Sequence, residues 1–438
     1  MKQAKRYLCF ALSLCLLFSL ASCTSGSQPG EPAGPEEKPY EPALDPQTTG
    51  SVNVVGHYSN FEALESAFNR FAEFYPNVKM SYTYLDDYSN TLAAALTSEE
   101  APDIFFMYPR MITGQAREDL LALAEDLSED SLNIDLSSIR ENLLQRDAEG
   151  HLPMVPVYCA TYGMMVNEDL FAKEGIAIPE TYADLISACD AFREAGYESP
   201  VMGYNQGSFF TFPLYYPYFC AQILSEGPES IEEVNGMGAA GGEHLRSTLE
   251  LLDDFMNHGC ADPELSKMME NDYQDVIMRF FEGNVPMMMA SSNTVSGTQK
   301  RESQSEAFTA SPFVYSFRPV PTTEEGGYFL TSVSMGFAVN QKSKNLDLTN
   351  EFMRFLVTTE QMNQVAADKR MVTPCKDMSL DSVYAAFGEL PEDHVIYQYE
   401  IGISGDADSQ VQKACWQLSN GLISIEDAVN GFGNLQDK

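Results

Sequence analysis

The side chains with the most chemical capacity in this sequence are aromatic and polar groups that fall in short clusters. Tyr108 and Arg110 set a phenol beside a guanidinium. His57, Tyr58 and Asn60 gather an imidazole, a phenol and an amide, and Asp86 with Asp87 supplies carboxylates. A sugar ring has apolar C–H faces and a polar rim, so an aromatic plate with directed hydrogen-bonding groups suits its recognition. Signatures of bond-breaking chemistry are missing: there is no GxSxG, HExxH or Walker loop. A glycosidase needs two carboxylates flanking the scissile bond, and among 64 acidic residues no sequence pair is informative. The cysteines beyond Cys23 (Cys159, Cys189, Cys220, Cys260, Cys375 and Cys415) are widely and irregularly spaced without CxxC, so no metal or other cofactor is expected and disulfide pairing stays open. Tandem Tyr215-Tyr216 invites a ferric-iron reading, but Phe212–Phe219 reads more readily as a packed helix start.

The elements around these clusters alternate. Ser51–Val55 has a strand pattern, followed by Phe61, Leu64, Phe68, Phe71 and Phe74 at helical spacing, with Ser59 or Asn60 available as N-cap and Pro76 beyond the end. A second strand from Val78, a second helix over Tyr88–Leu96 and a short buried strand, Pro102–Met107, complete a β-α-β-α-β order. That order predicts an α/β fold with a parallel, doubly wound sheet, whose ligand crevice lies beyond the carboxyl ends of the strands. His57–Asn60, Asp86 and Tyr108–Arg110 then border one cleft. Strand-like segments recur at 154–167, 285–290 and 333–340, and helical ones at 182–195, 244–258, 348–357 and 409–432, the last holding Trp416.

The amino end reads as an export signal: Lys2, Lys5 and Arg6, an apolar run from Tyr7 to Leu20, then Leu20-Ala-Ser-Cys23. The run is shorter than the roughly 20 residues that span a bilayer. Its end resembles the bacterial lipobox, cleaved just before a cysteine that receives lipid. Residues 1–22 are therefore expected to be removed, with Cys23 as the lipid attachment and 23–50, rich in Ser, Gly, Pro and Glu, as a disordered tether. This predicts an extracytoplasmic protein held to the bacterial membrane through lipid alone. Against 26 basic residues, the 64 acidic ones give a net charge of −38, which excludes nucleic acid and anionic lipid as partners. Residues 51–438 exceed what one core usually serves, so two lobes are expected.

A set of fragments through the chain resembles the family 1 extracellular solute-binding proteins of ABC importers, the group that includes maltose-binding protein. They are Phe74-Tyr-Pro-Asn-Val78, Ala101-Pro-Asp-Ile-Phe105, Leu120–Leu123, Val166-Asn-Glu-Asp-Leu-Phe171 with Gly175-Ile and Pro179-Glu-Thr-Tyr182, Phe281-Glu-Gly-Asn284, and Val339–Asn345. Their order and spacing together carry the resemblance. It implies a periplasmic-binding-protein fold whose lobes are joined by crossing strands near 155–162, near 312–320 and just after Asn340. The implied lobes are 51–157 with 312–340, and 163–311 with 341–438, closing on the ligand by a hinge. The implied activity is capture of a carbohydrate without catalysis and its delivery to ABC permease subunits, by a monomer; a polyamine held by Asp86, Asp87 and Glu62, or glycosidase action, is the alternative. By the same resemblance Phe209 falls where relatives place a sugar-stacking aromatic and Asn293 where they place a tryptophan. At the first crossing Ala160 replaces a carboxylate, with Tyr158 two residues earlier.

Overall fold

The computed structural model describes residues 39–112, 116–203, 210–267 and 273–436. Its first elements are β1 (Gly50–Gly56), α1 (Glu62–Ala72), β2 (Val78–Tyr84), α2 (Tyr88–Leu96) and β3 (Ile104–Met107). β1 pairs in parallel with both β2 and β3, so the expected parallel β-α-β-α-β unit is present. α1 forms because Leu64, Ala67, Phe68 and Phe71 recur on one face, and that face is the buried one.

The chain continues through β4 (Val155–Asn167), α3 (Tyr182–Glu194), β5 (Val201–Met202), α4 (Phe212–Glu226), α5 (Arg246–Asn257), β6 (Met287–Ser291), α6 (Ser292–Arg301), β7 (Tyr315–Arg318) and β8 (Val320–Thr323). Then come β9 (Gly326–Val339), α7 (Leu346–Leu356), α8 (Thr359–Lys369), β10 (Val395–Tyr397) and α9 (Gly405–Ser419). The strands form one open sheet in the order β2-β1-β3-β9-β4-β6-β5, with β7 on β4 and β8 and β10 on β9. Helices flank it, which is the mixed α/β architecture expected. β4 and β9 are the longest strands, and they pair antiparallel along Val155–Tyr162. Nearly every β4 residue is buried, because both faces of this central strand are covered.

Two apolar clusters lie along this sheet. One gathers the β1–β3 and α1–α2 residues with Leu348, Phe352, Phe355 and Val365. The other gathers Leu185, Phe192, Tyr215, Tyr216, Leu249, Phe255, Val411 and Cys415. Tyr215 and Tyr216 are thus core side chains of α4 rather than exposed ligands, and no group of metal-holding residues occurs among the described residues. All six cysteines beyond Cys23 are buried thiols, none in a disulfide. No helix among the described residues is long and apolar enough to cross a membrane.

Three features depart from the sequence expectations. Residues 39–50 are not wholly tether: the Tyr40 ring packs edge-on against Phe74 and Phe355, and its hydroxyl donates to Glu351 at 2.5 Å. Of the stretch after Asn340, expected with the second lobe, α7 and α8 pack on the first cluster through β1 and α1, while α9 joins the second. The cause is the apolar face of α7, whose Phe352 and Phe355 meet Phe68 and Phe71. The segment 315–323, expected with the first lobe, is divided: β7 pairs with the far end of β4 and its Phe317 joins the first cluster, whereas β8 packs on α3 and α4 and its Val320 joins the second. The segment after α8 lies against β4, where Cys159 N–H donates to Val372 O at 2.8 Å.

Candidate functional site

The carboxyl ends of β1 and β3 release the chain side by side, and this puts His57 and Tyr58 next to Tyr108 and Arg110. Phe106 is the floor beneath them. Its ring lies 5.9 Å from His57, 5.7 Å from Tyr58 and 6.3 Å from Tyr88. A Cβ on Gly56 would come within 2.3 Å of that ring, so only glycine ends β1 at this close approach. Two hydroxyls then fix the backbone: Tyr82 donates to Tyr58 O at 2.8 Å and Tyr88 to Phe106 O at 2.7 Å.

On this floor the functional groups pair. Tyr108 Oη lies 2.5 Å from His57 Nδ1, and Tyr58 Oη lies 2.6 Å from Tyr158 Oη. Burial, with Tyr58 adding and Arg110 opposing, holds the Tyr108 phenol far above its ordinary range, so it stays protonated. The His57 imidazole is pushed below its ordinary value by burial, then by Lys369 and Arg110, so it is neutral at pH 7. In the tautomer that carries its proton on Nε2, the phenol donates to Nδ1.

Cations close both ends of this arc. The Arg110 guanidinium stands 5.1 Å from the Tyr108 ring centre, and Lys369 Nζ stands 4.2 Å from that of Tyr58 and 5.6 Å from that of Phe61. Lys369 is brought there by α8, which ends in a left-handed Arg370 with φ 59°. Its carbonyl accepts from Ser296 Oγ on α6 at 2.7 Å, and Tyr384 Oη donates to both Arg370 O and Ser292 O. Burial and then Lys300 lower the Lys369 pKa to about 8, against a smaller pull from Glu62. Nothing local in the sequence around Lys369 marks it; only the packing of α8 on α1 does.

Of the residues expected at the site, the structure joins His57, Tyr58, Tyr108, Arg110 and Tyr158. Tyr158 is fully buried with its hydroxyl on Tyr58, so it supports the arc from beneath rather than presenting a face. Asn60 donates to its neighbour Glu62 at 3.1 Å, and Asp86 bonds Tyr84 Oη and Asp87 N–H; both are exposed and occupied locally. Asn293 is exposed at the start of α6, next to Ser292, whose Oγ accepts from Thr161 N–H at 3.1 Å. Phe209 and Cys23 lie outside the described residues.

Such an arrangement offers ring faces, neutral donors and cations side by side at the strand ends, which is equipment for holding a polar solute. Over residues 57–363 the sequence matches the family described as bacterial extracellular solute-binding protein. The chain belongs to that family. Membership makes it a binding protein rather than an enzyme and places its work outside the cytoplasm. This solute-binding protein has no match among curated proteins. Solved structures share its fold: apo RafE from Streptococcus pneumoniae, at 16% identity, TM-score 0.65 and coverage of 89% of this chain and 99% of that one. A Bacillus licheniformis sugar transporter protein in complex with stachyose has 15% identity, TM-score 0.60 and coverage of 88% and 100%. The GacH receptor of Streptomyces glaucescens, studied unliganded and with acarbose, has 16% identity, TM-score 0.63 and coverage of 89% and 97%.

Proposed function

We propose that this solute-binding protein captures a carbohydrate, a mono- or oligosaccharide, on the arc formed by Tyr108, His57 and Tyr58, and passes it to an ABC permease. The observation that carries this reading is the Tyr108–His57 pair: a phenol ring bonded through its hydroxyl to a neutral imidazole, beside a guanidinium. Relatives of the same fold solved with stachyose and acarbose support it. A polyamine is disfavoured, because Arg110 and Lys369 would repel it while Asp86 is engaged elsewhere. The halves of the sheet on either side of the β4–β9 pair are taken as lobes that close about β4, β9 and the segment after α8.

Isothermal calorimetry with a panel of neutral and acidic oligosaccharides and polyamines should find a saccharide that binds, and solution scattering should show the protein contracting with it. Binding of amines alone would overturn the carbohydrate reading, and tight binding without contraction would overturn closure. The anchor is tested separately. Lipid on Cys23 should carry the mature protein into detergent, and Cys23→Ala should release it to the medium; a variant that stays membrane-bound removes the lipoprotein reading.

A further inference from the structure

In a chain with a net charge of −38, the site carries cations. Among the described residues, neither the Arg110 guanidinium nor the Lys369 ammonium bonds a carboxylate or a carbonyl, and each rests instead on an aromatic face at one end of the ring arc. Several basic side chains elsewhere find such partners: Arg70 pairs with Asp368, Arg354 with Glu351 and Arg246 with Glu243 and Glu426, while Lys344 and Lys376 donate to carbonyls. A cation whose only contact is a ring keeps its hydrogen-bonding directions for something else. Both act on one group between them, since His57 is depressed by Lys369 and by Arg110. The other charges that bear on Lys369 are Lys300 and Glu62, and Glu62 is bonded by Asn60.

Building on the carbohydrate reading, we infer that the solute is an acidic one, a saccharide with carboxylate or sulfate groups that lies along the Tyr108–His57–Tyr58 arc, with such groups held by Arg110 at one end and Lys369 at the other. The rings cover the C–H faces and His57 Nε2–H serves a hydroxyl. The guanidinium fork at one end and the ammonium at the other each take an anionic group in charge-assisted hydrogen bonds. Local cations also offset the repulsion that an anion meets on approaching so acidic a protein. Since Lys369 loses its proton near pH 8, anion affinity should weaken as pH rises past that value.

Calorimetry on the full mature protein would compare trigalacturonate, a sulfated disaccharide, and neutral raffinose and stachyose. At least one acidic probe should bind tenfold or more tighter than the neutral ones, and which of the two does so identifies the anion. Arg110→Gln and Lys369→Gln should each weaken the acidic probe about tenfold and the neutral ones little. From pH 7 to 9 the wild type should lose acidic-probe affinity, and Lys369→Arg should abolish that loss, which also answers for a Gln variant that folds poorly. Neutral saccharides binding tightest, or variants that weaken both classes equally, would overturn the acidic assignment while leaving the carbohydrate reading intact. No saccharide binding at all would overturn both.

Discussion

Glu351→Ala should be among the most destabilising single changes in this protein, costing about 3–5 kcal/mol of unfolding free energy. The Glu351 side chain is fully buried. One oxygen accepts from Tyr40 Oη, from Tyr75 Oη and from Ala43 N–H at 2.8 Å, and the other accepts from Arg354, whose Nε lies 2.9 Å away. Truncation leaves three donors without an acceptor and Arg354 without its carboxylate. It also releases Tyr40–Leu44, which no other element holds as firmly; Leu44 N–H reaches only Tyr75 Oη, at 3.2 Å. A chain begun at Gly50 should therefore melt below one begun at Pro39, because it lacks Tyr40 and Ala43.

The pH behaviour follows from the same geometry. Burial raises the Glu351 pKa, but the bonds from Tyr40, Tyr75, Ala43 and Arg354 outweigh it, and the net shift is downward. A depressed carboxylate contributes stability above its unfolded pKa, about 4.3, that disappears as pH falls through the folded value. The gap between wild type and Glu351→Gln in denaturant midpoint should be present at pH 7 and shrink in acid below about pH 4. If Glu351→Ala unfolds within about 1 kcal/mol of wild type at pH 7, the docking of residues 39–44 has no energetic weight.

How much of this was legible depended on whether a pattern was local. The β1–α1–β2–α2–β3 unit could be read because alternation in β2 and the spacing of Leu64, Phe68 and Phe71 are properties of short windows. The convergence of His57 and Tyr108 followed from that topology alone, since parallel neighbours end on the same side. Tyr40 was missed because a compositional rule averages over a Pro- and Glu-rich stretch and cannot see one ring finding Phe74 and Phe355. A crossing was expected near 312–320, where β7 and β8 lie; nothing in their residues says that the long strand between β3 and β4 in the sheet is β9. Lys369 was invisible for a related reason: its place depends on how α8 rests on α1, and a lysine at a helix end is ordinarily solvated.

Tyr158 and Tyr108 looked equivalent in the sequence, each an aromatic beside an apolar strand, and they should now behave in opposite ways. Tyr158 lies in a strand covered on both faces, where alternation carries no information about facing, and none of its surface is exposed. Tyr158→Ala should leave a cavity under Tyr58 and Phe61 and cost about 3–5 kcal/mol, whereas Tyr158→Phe, which removes only the bond to Tyr58, should cost about 1 kcal/mol. Tyr108 is half-buried, holding His57 by its hydroxyl and Arg110 by its face. Tyr108→Ala should therefore lower the melting point only slightly while weakening saccharide binding about tenfold or more, some 1.4 kcal/mol. Tyr108→Phe separates its two duties: it keeps the stacking face but removes the donor to Nδ1, freeing the imidazole to change tautomer. Affinity should fall by less than in Tyr108→Ala. Paired melting and calorimetry on these four variants decide the matter. A Tyr108→Ala protein that melts as low as Tyr158→Ala yet binds normally would move the solute away from this arc.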